Sequence, residues 1–243
     1  MPAFLVHGVP DTSALWDSVR AAITRTDVIA PNLPGFDAPV PPDFTATKDE
    51  YVDWLIGEIE QVGEPVDIVG HDWGSLLVQR AASLRPDLIR TWAAGAGTVD
   101  REYVWHDLAQ MWQTPEVGEQ VMAAMTGDAM VDTLADQVGG REKAVTMASH
   151  IDDTMKQCVL ALYRSAAGGF GEWHDDVDNV LPTRPGVVFW GADDPYVTAN
   201  FGERLAARTH AQLTMFADSG HWWPATKPAE VAAGLERLWA SAN

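Results

Sequence analysis

The 243-residue chain holds a single cysteine, Cys158, so neither an internal disulfide nor a thiolate metal cluster can be built from it. Long hydrophobic runs are also missing. No segment approaches the roughly 18–20 apolar residues of a membrane span, and Met1-Pro2-Ala3-Phe4-Leu5-Val6 has no basic leader of the kind a signal peptide needs. Positive charge is scarce, with 16 Lys and Arg against 35 Asp and Glu, and the formal charge of −19 repels phosphate backbones and anionic membrane surfaces. These absences predict a soluble, cytoplasmic protein with no nucleic acid and no membrane among its partners. Tryptophan is what the chain has in excess: 11 residues against 7 Phe and 4 Tyr, bulky indoles that must fill a core or line a pocket.

Short apolar runs alternate with longer amphipathic stretches, the rhythm of strand and helix units on a parallel sheet. Strands are predicted at Ala3–His7, Asp27–Ala30, Val66–Val69 and Ile89–Ala94, and helices at Ala14–Ile23, Ala46–Gln61 and after Gly74 to about Ser83. From about Thr98 to Pro182 the pattern is helical and irregular, broken at Gly139-Gly140 and Gly168-Gly169. Residues 100–178 carry 15 Asp and Glu against 5 Lys and Arg, which reads as a set of solvated helix faces. The alternation then returns with a strand at Gly186–Trp190, a helix at Phe201–Arg208, a strand at Gln212–Phe216 and a helix from Pro228 to about Ala240. The reading is an α/β protein with a mostly parallel sheet of about six strands flanked by helices. Residues 1–97 and 183–243 form the scaffold, and 98–182 form a helical cap inserted where such sheets open their crevice.

Gly70-His71-Asp72-Trp73-Gly74 stands directly after a predicted strand and directly before a predicted helix. Two flanking glycines let strand and helix approach around a sharp turn, and the central side chain is held out into the crevice. An aspartate there also lies at a helix N-terminus, where free N–H groups and the macrodipole keep it ionised. Asp72 is therefore a candidate nucleophile, whereas Ser75 reads as a residue of the helix's first turn.

These features resemble the α/β-hydrolase superfamily, and GHDWG resembles its aspartate-nucleophile branch of epoxide hydrolases and haloalkane dehalogenases. His7-Gly8-Val9-Pro10, followed by Trp16, is similar to the superfamily's oxyanion turn, and Trp190-Gly191-Ala192-Asp193-Asp194-Pro195 to its acid loop. Ser219-Gly220-His221-Trp222 resembles the histidine loop. The order nucleophile, acid, histidine is the superfamily's own. The resemblance implies Asp194 as the acid, with Asp100 a second choice and Asp193 its neighbour. It also implies a sheet without the two strands that usually lead the superfamily's eight. Among the remaining histidines, His7 and His71 are expected to hydrogen-bond around the turns.

A carboxylate needs no base before it attacks. By this resemblance Asp72 attacks a saturated carbon and forms an alkyl ester, and His221, oriented by Asp194, activates water against that ester. The N–H groups of Val9 and Trp73 hold the oxyanion. The scheme calls for no cofactor and no metal, only a small neutral hydrophobic substrate and water.

The leaving group divides the readings. An epoxide leaves as an alkoxide and needs an acid, for which Leu162-Tyr163-Arg164 offers Tyr163, with Tyr103 as its partner; an alignment anchored on Gln113–Val117 places Leu108 there instead. A halide needs N–H donors, and Trp105 and His106 resemble the halide pocket of fluoroacetate dehalogenases. Those enzymes, however, carry arginines where this chain has Trp73 and Leu76, and haloalkane dehalogenases often carry Asn where it has Val9. Trp112 and Trp173 are expected to pack between cap and sheet. The leading expectation is an epoxide hydrolase giving a vicinal diol from a neutral epoxide. A haloalkane-type dehalogenase comes second. A non-catalytic receptor comes third, and it has no physical need for Asp72, Asp194 and His221 together.

Overall fold

A computed structural model describes residues 1–242. Six parallel strands form one sheet: β1 (Ala3–Val6), β2 (Val28–Ile29), β3 (Val66–His71), β4 (Ile89–Gly95), β5 (Gly186–Gly191) and β6 (Gln212–Phe216), in the spatial order β2-β1-β3-β4-β5-β6. Successive side chains on a strand point to opposite faces. Phe4, Val6, Val188 and Trp190 thus enter one core, and Ala3, Leu5, Val187 and Phe189 the other. Burial on both faces is why these strands read as unbroken apolar runs.

Helices cover both faces. The first half contributes α1 (Asp17–Ala22), α2 (Lys48–Glu60) and α3 (Trp73–Leu84). The predicted helix at Ala14–Ile23 opens with a 3-10 turn over Ser13–Trp16. Thr47 caps α2, its hydroxyl accepting the Glu50 N–H while the Glu50 carboxylate reaches back to the Thr47 N–H, a reciprocal box that fixes the helix start. The connection from β1 runs outward to β2, and the next crosses back to β3, so the chain leaves the C-terminal ends of β1 and β3 in opposite directions. That divergence opens the crevice in which α/β sheets bind ligands.

Between β4 and β5 run α4 (Asp107–Gln113), α5 (Val117–Ala124), α6 (Gly127–Leu134), α7 (Arg141–Ser149), α8 (Asp153–Ser165) and α9 (Trp173–Val180). The chain ends with α10 (Ala199–Thr209), α11 (Trp223–Thr226) and α12 (Pro228–Ser241). Among the described residues no helix is long and apolar enough to cross a membrane.

The acidic excess of the α4–α9 segment differs from its expected role as solvated faces. Glu172 and Asp176 pair with Arg80 of α3, and Asp178 pairs with Arg208 of α10. Trp173 lies under the Lys48 ammonium and the Arg80 guanidinium, at 4.7 and 5.4 Å from its ring centroid. Part of the negative charge thus fastens α9 to the scaffold, where basic side chains of the core meet it.

Candidate active site

β3 carries Asp72 to the C-terminal edge of the sheet, and α3 begins one residue later. A Cβ on Gly70 would stand 2.2 Å from the Gly74 carbonyl oxygen, and one on Gly74 would stand 2.3 Å from that of Val6. Only glycine fits at either position. Asp72 itself sits at φ 53° and ψ −122°, a conformation costing a non-glycine residue on the order of 1–3 kcal/mol. The strained turn presents the carboxylate at the N-terminus of α3, where backbone N–H groups favour an anion.

The turn after β1 comes from the adjacent strand. Its Val9 N–H donates to Asp72 Oδ1 at 2.8 Å. The other oxygen, Oδ2, faces His221 Nε2 at 3.5 Å. His221 Nδ1–H donates to Asp194 Oδ2 at 2.9 Å, and Asp194 Oδ1 accepts the N–H groups of Tyr196 and Val197 at 2.9 and 3.0 Å. Asp193 is exposed. The second-choice acid, Asp100, is instead taken up by a bidentate bond to Arg204, at 2.9 and 3.0 Å, and by Arg208. Ser75 donates its hydroxyl to the Gly97 carbonyl, 2.6 Å away, as a structural residue of α3.

Burial alone would push the His221 imidazole down, but the charge and hydrogen bond of Asp194, reinforced by Asp72, hold it at about 10. Burial would likewise raise Asp72, yet the hydrogen bond and charge of His221 outweigh it and leave the carboxyl below its ordinary range. These directions favour a protonated imidazole at rest, held by Asp194 and facing the ionised Asp72. His7 and His71 are held neutral, both lowered to about 4, chiefly by burial. His7 donates from Nδ1 to the Gly8 carbonyl (2.7 Å) and accepts the Leu33 N–H at Nε2 (3.0 Å), which shapes the turn before Val9.

Above Asp72 lies a cavity of about 880 Å³, its opening to solvent included. Tyr103, Trp105, His106 and Tyr163 all line it. The Trp73 ring stacks on Trp105 at 5.7 Å and 20°, and meets Tyr163 edge-on at 5.3 Å. Trp105 stands 5.3 Å from both tyrosine rings, so it lies between the two phenols. Burial first, and then the charge of Asp72, raises both phenols above their ordinary range, so both are protonated donors. His106 caps α4, its Nδ1 accepting the Ala109 N–H at 3.2 Å. Burial lowers its pKa, so the neutral ring carries its proton on Nε2.

The competing alignments of the first cap donor both lead to this cavity, since Leu108 lines it beside Tyr103. Trp112, expected as packing, also forms part of the wall, 4.9 Å from the Tyr163 ring. Trp173 packs as expected. Sequence reasoning missed Met125 and Met130 of the cap, and it missed Tyr196, whose ring stands 5.1 Å from His221. Tyr196 had a signal: it lies two residues after Asp194, in a loop already singled out. The methionines had none, because only tertiary packing brings them to the cavity.

Residues 3–234 match the model of the alpha/beta hydrolase family. The chain belongs to that family. Within the alpha/beta hydrolases its relatives carry out different reactions. It is 23% identical to the (E)-2-((N-methylformamido)methylene)succinate hydrolase of Acinetobacter baylyi, over 97% of this chain and 89% of the relative. It is 22% identical to epoxide hydrolase 4 of Mus musculus, over 97% and 71%. The solved structure of haloalkane dehalogenase DbeA from Bradyrhizobium elkani USDA94 superposes with a TM-score of 0.77 at 21% identity, covering 99% of this chain and 91% of that one. At these identities the likeness establishes a hydrolase of α/β fold, and the reaction must be argued from the site.

Proposed function

We propose that this hydrolase opens neutral epoxides to vicinal diols through an ester on Asp72. The observation that carries the reading is a pair of protonated phenols, Tyr103 and Tyr163, lining the same cavity as an ionised elbow carboxylate. Asp72 Oδ2 forms a bond to an epoxide carbon. The carbon–oxygen bond of the ring breaks, and the Tyr163 phenol gives its proton to the departing oxygen. Esterification discharges Asp72 and removes one of the two charges that hold a proton on His221, so the imidazolium gives its proton to the Tyr163 phenolate and the imidazole becomes a base only once the ester exists. Neutral His221 takes a proton from water as the water oxygen bonds to the Asp72 carboxyl carbon, and the N–H groups of Val9 and Trp73 face the oxyanion. The tetrahedral intermediate collapses, its ester oxygen takes the proton from His221, and the diol leaves. The regenerated carboxylic acid gives its proton to His221, which restores the imidazolium beside an ionised Asp72.

A second reading, halide release, has one specific observation in its favour. The indole N–H of Trp112, on the cavity wall, has no hydrogen-bond partner among the described residues. Incubation with styrene oxide and, separately, with 1-bromobutane distinguishes the two. Diol without bromide is the expected result, and bromide without diol would replace the first reading by the second.

A further inference from the structure

Two residues of the site's turns take no part in the chemistry above, and both grip the loop that carries His221. His71, immediately before the nucleophile, donates from Nε2 to the His221 carbonyl oxygen at 2.8 Å. Asp11, two residues after Val9, is only 3% exposed, and its Oδ2 accepts the indole N–H of Trp222 at 3.0 Å. Its Oδ1 is buried with no hydrogen-bond partner among the described residues. Trp222 directly follows His221, and its ring stands edge-on to the imidazole at 5.0 Å and 76°. The two segments that hold Asp72 therefore also hold the histidine loop, one at the His221 carbonyl and one at the Trp222 indole. A buried carboxyl is unfavourable where an apolar side chain would pack without desolvation cost, and its one protein hydrogen bond goes to the residue beside the catalytic base.

We infer that Asp11 is a positioning residue for the hydrolytic step: through Trp222 it ties the histidine loop to the oxyanion turn, so that His221 and the Val9 N–H keep one geometry around the Asp72 carboxyl carbon. The inference rests on the ester reading of Asp72. The electrostatics run in the same direction. Burial, with the Asp72 charge added, pushes the Asp11 carboxyl up to about 7 against the opposing pull of the Trp222 hydrogen bond and of His221. Esterification removes the Asp72 charge, the larger of the two effects, and the loss of the His221 proton only partly offsets it, so Asp11 ionises more readily as the ester appears and its bond to the indole becomes charge-assisted.

The test follows one turnover of styrene oxide by intact-protein mass, reading ester formation and ester decay separately in D11L, D11N and W222F. D11L and W222F are expected to form the ester within about threefold of the native rate and to hydrolyse it about tenfold more slowly or worse, the effect of one unmade buried hydrogen bond. D11N, whose amide oxygen still accepts the indole N–H, should recover most of the decay rate lost in D11L. The proton NMR signal of His221 Nδ1–H, shifted downfield by Asp194, should move or broaden in D11L and W222F and return in D11N. Native decay rates in both D11L and W222F, or a D11N as slow as D11L, would overturn the inference. If H221Q traps no ester at all, the ester reading itself fails, and the NMR signal alone then decides whether Asp11 positions the histidine.

Discussion

In the proposed reaction Asp72, His221 and Tyr163 act at separate moments, and single substitutions should separate them. With Asp72→Asn the attacking oxygen is lost and turnover should be abolished under either leaving-group reading, measured as diol or halide. His221→Gln removes the base but leaves the nucleophile, so the ester should persist and add the mass of the substrate to the protein; an unmodified protein after long incubation would count against a covalent route. Tyr163→Phe removes the proton that an alkoxide needs and a halide does not. Epoxide opening should fall by about a hundredfold or more, while any bromide release changes far less. The core of the site was legible at this scale because Val9, Asp72, Asp194 and His221 stand in loops that follow predicted strands, and strand ends bring distant loops together. Their companions were not: Trp112, Met125 and Tyr196 come from separate segments whose meeting depends on how short helices pack.

Among the elements, α2 and α9 show two different kinds of anchoring. The box of Thr47 and Glu50 satisfies N–H groups that a helix start leaves open, so Thr47→Ala should lower unfolding stability by about 1 kcal/mol in urea titration. α9 is fastened from outside by Arg80, itself largely buried, which lies over Trp173 and pairs with Glu172 and Asp176. Replacing Arg80 by Leu removes both partners at once and should hasten proteolytic cleavage in the glycine-rich segment at 168–171 just before α9; unchanged cleavage would mean that apolar contacts alone seat the helix. Strands proved easier to delimit from sequence than the short cap helices. Gln212–Phe216 has the predicted limits, because a short apolar run between turn residues has few other places to go. β2 contracts from four residues to Val28–Ile29, as it pairs on one side only and is half exposed. The helices of the cap are mostly seven to nine residues long, too short for a 3.6-residue period to announce its own ends.

For the molecule as a whole, buried histidines of opposite bias shape the response to pH. His7 and His71, lowered from 6.5 to about 4, resist protons that the unfolded chain accepts. Their contribution to stability is present above pH 6.5 and lost as pH falls from 6.5 toward 4. Asp11 opposes them, since a carboxyl raised from 3.8 to about 7 favours the folded state most at low pH, but it is one group against two. His221 runs the other way from His7 and His71: raised to about 10, it contributes fully below 6.5 and loses that contribution as pH rises from 6.5 to 10. Urea unfolding across pH 4–10 should show greatest stability near neutrality, and His221→Gln should flatten the alkaline limb and make the acid limb shallower, because Asp72 loses the charge and hydrogen bond that hold its carboxyl low.

The stacked pair of Trp73 and Trp105 joins the first turn of α3 to the segment leading into the cap. Two indoles at that spacing couple their near-ultraviolet transitions, and the coupling weakens steeply as the rings part or rotate. The protein therefore carries its own optical gauge directly beside the Asp72 carboxylate. Near-ultraviolet circular dichroism, without any label, should change when the segment before α4 moves against α3, and W105F should remove that change.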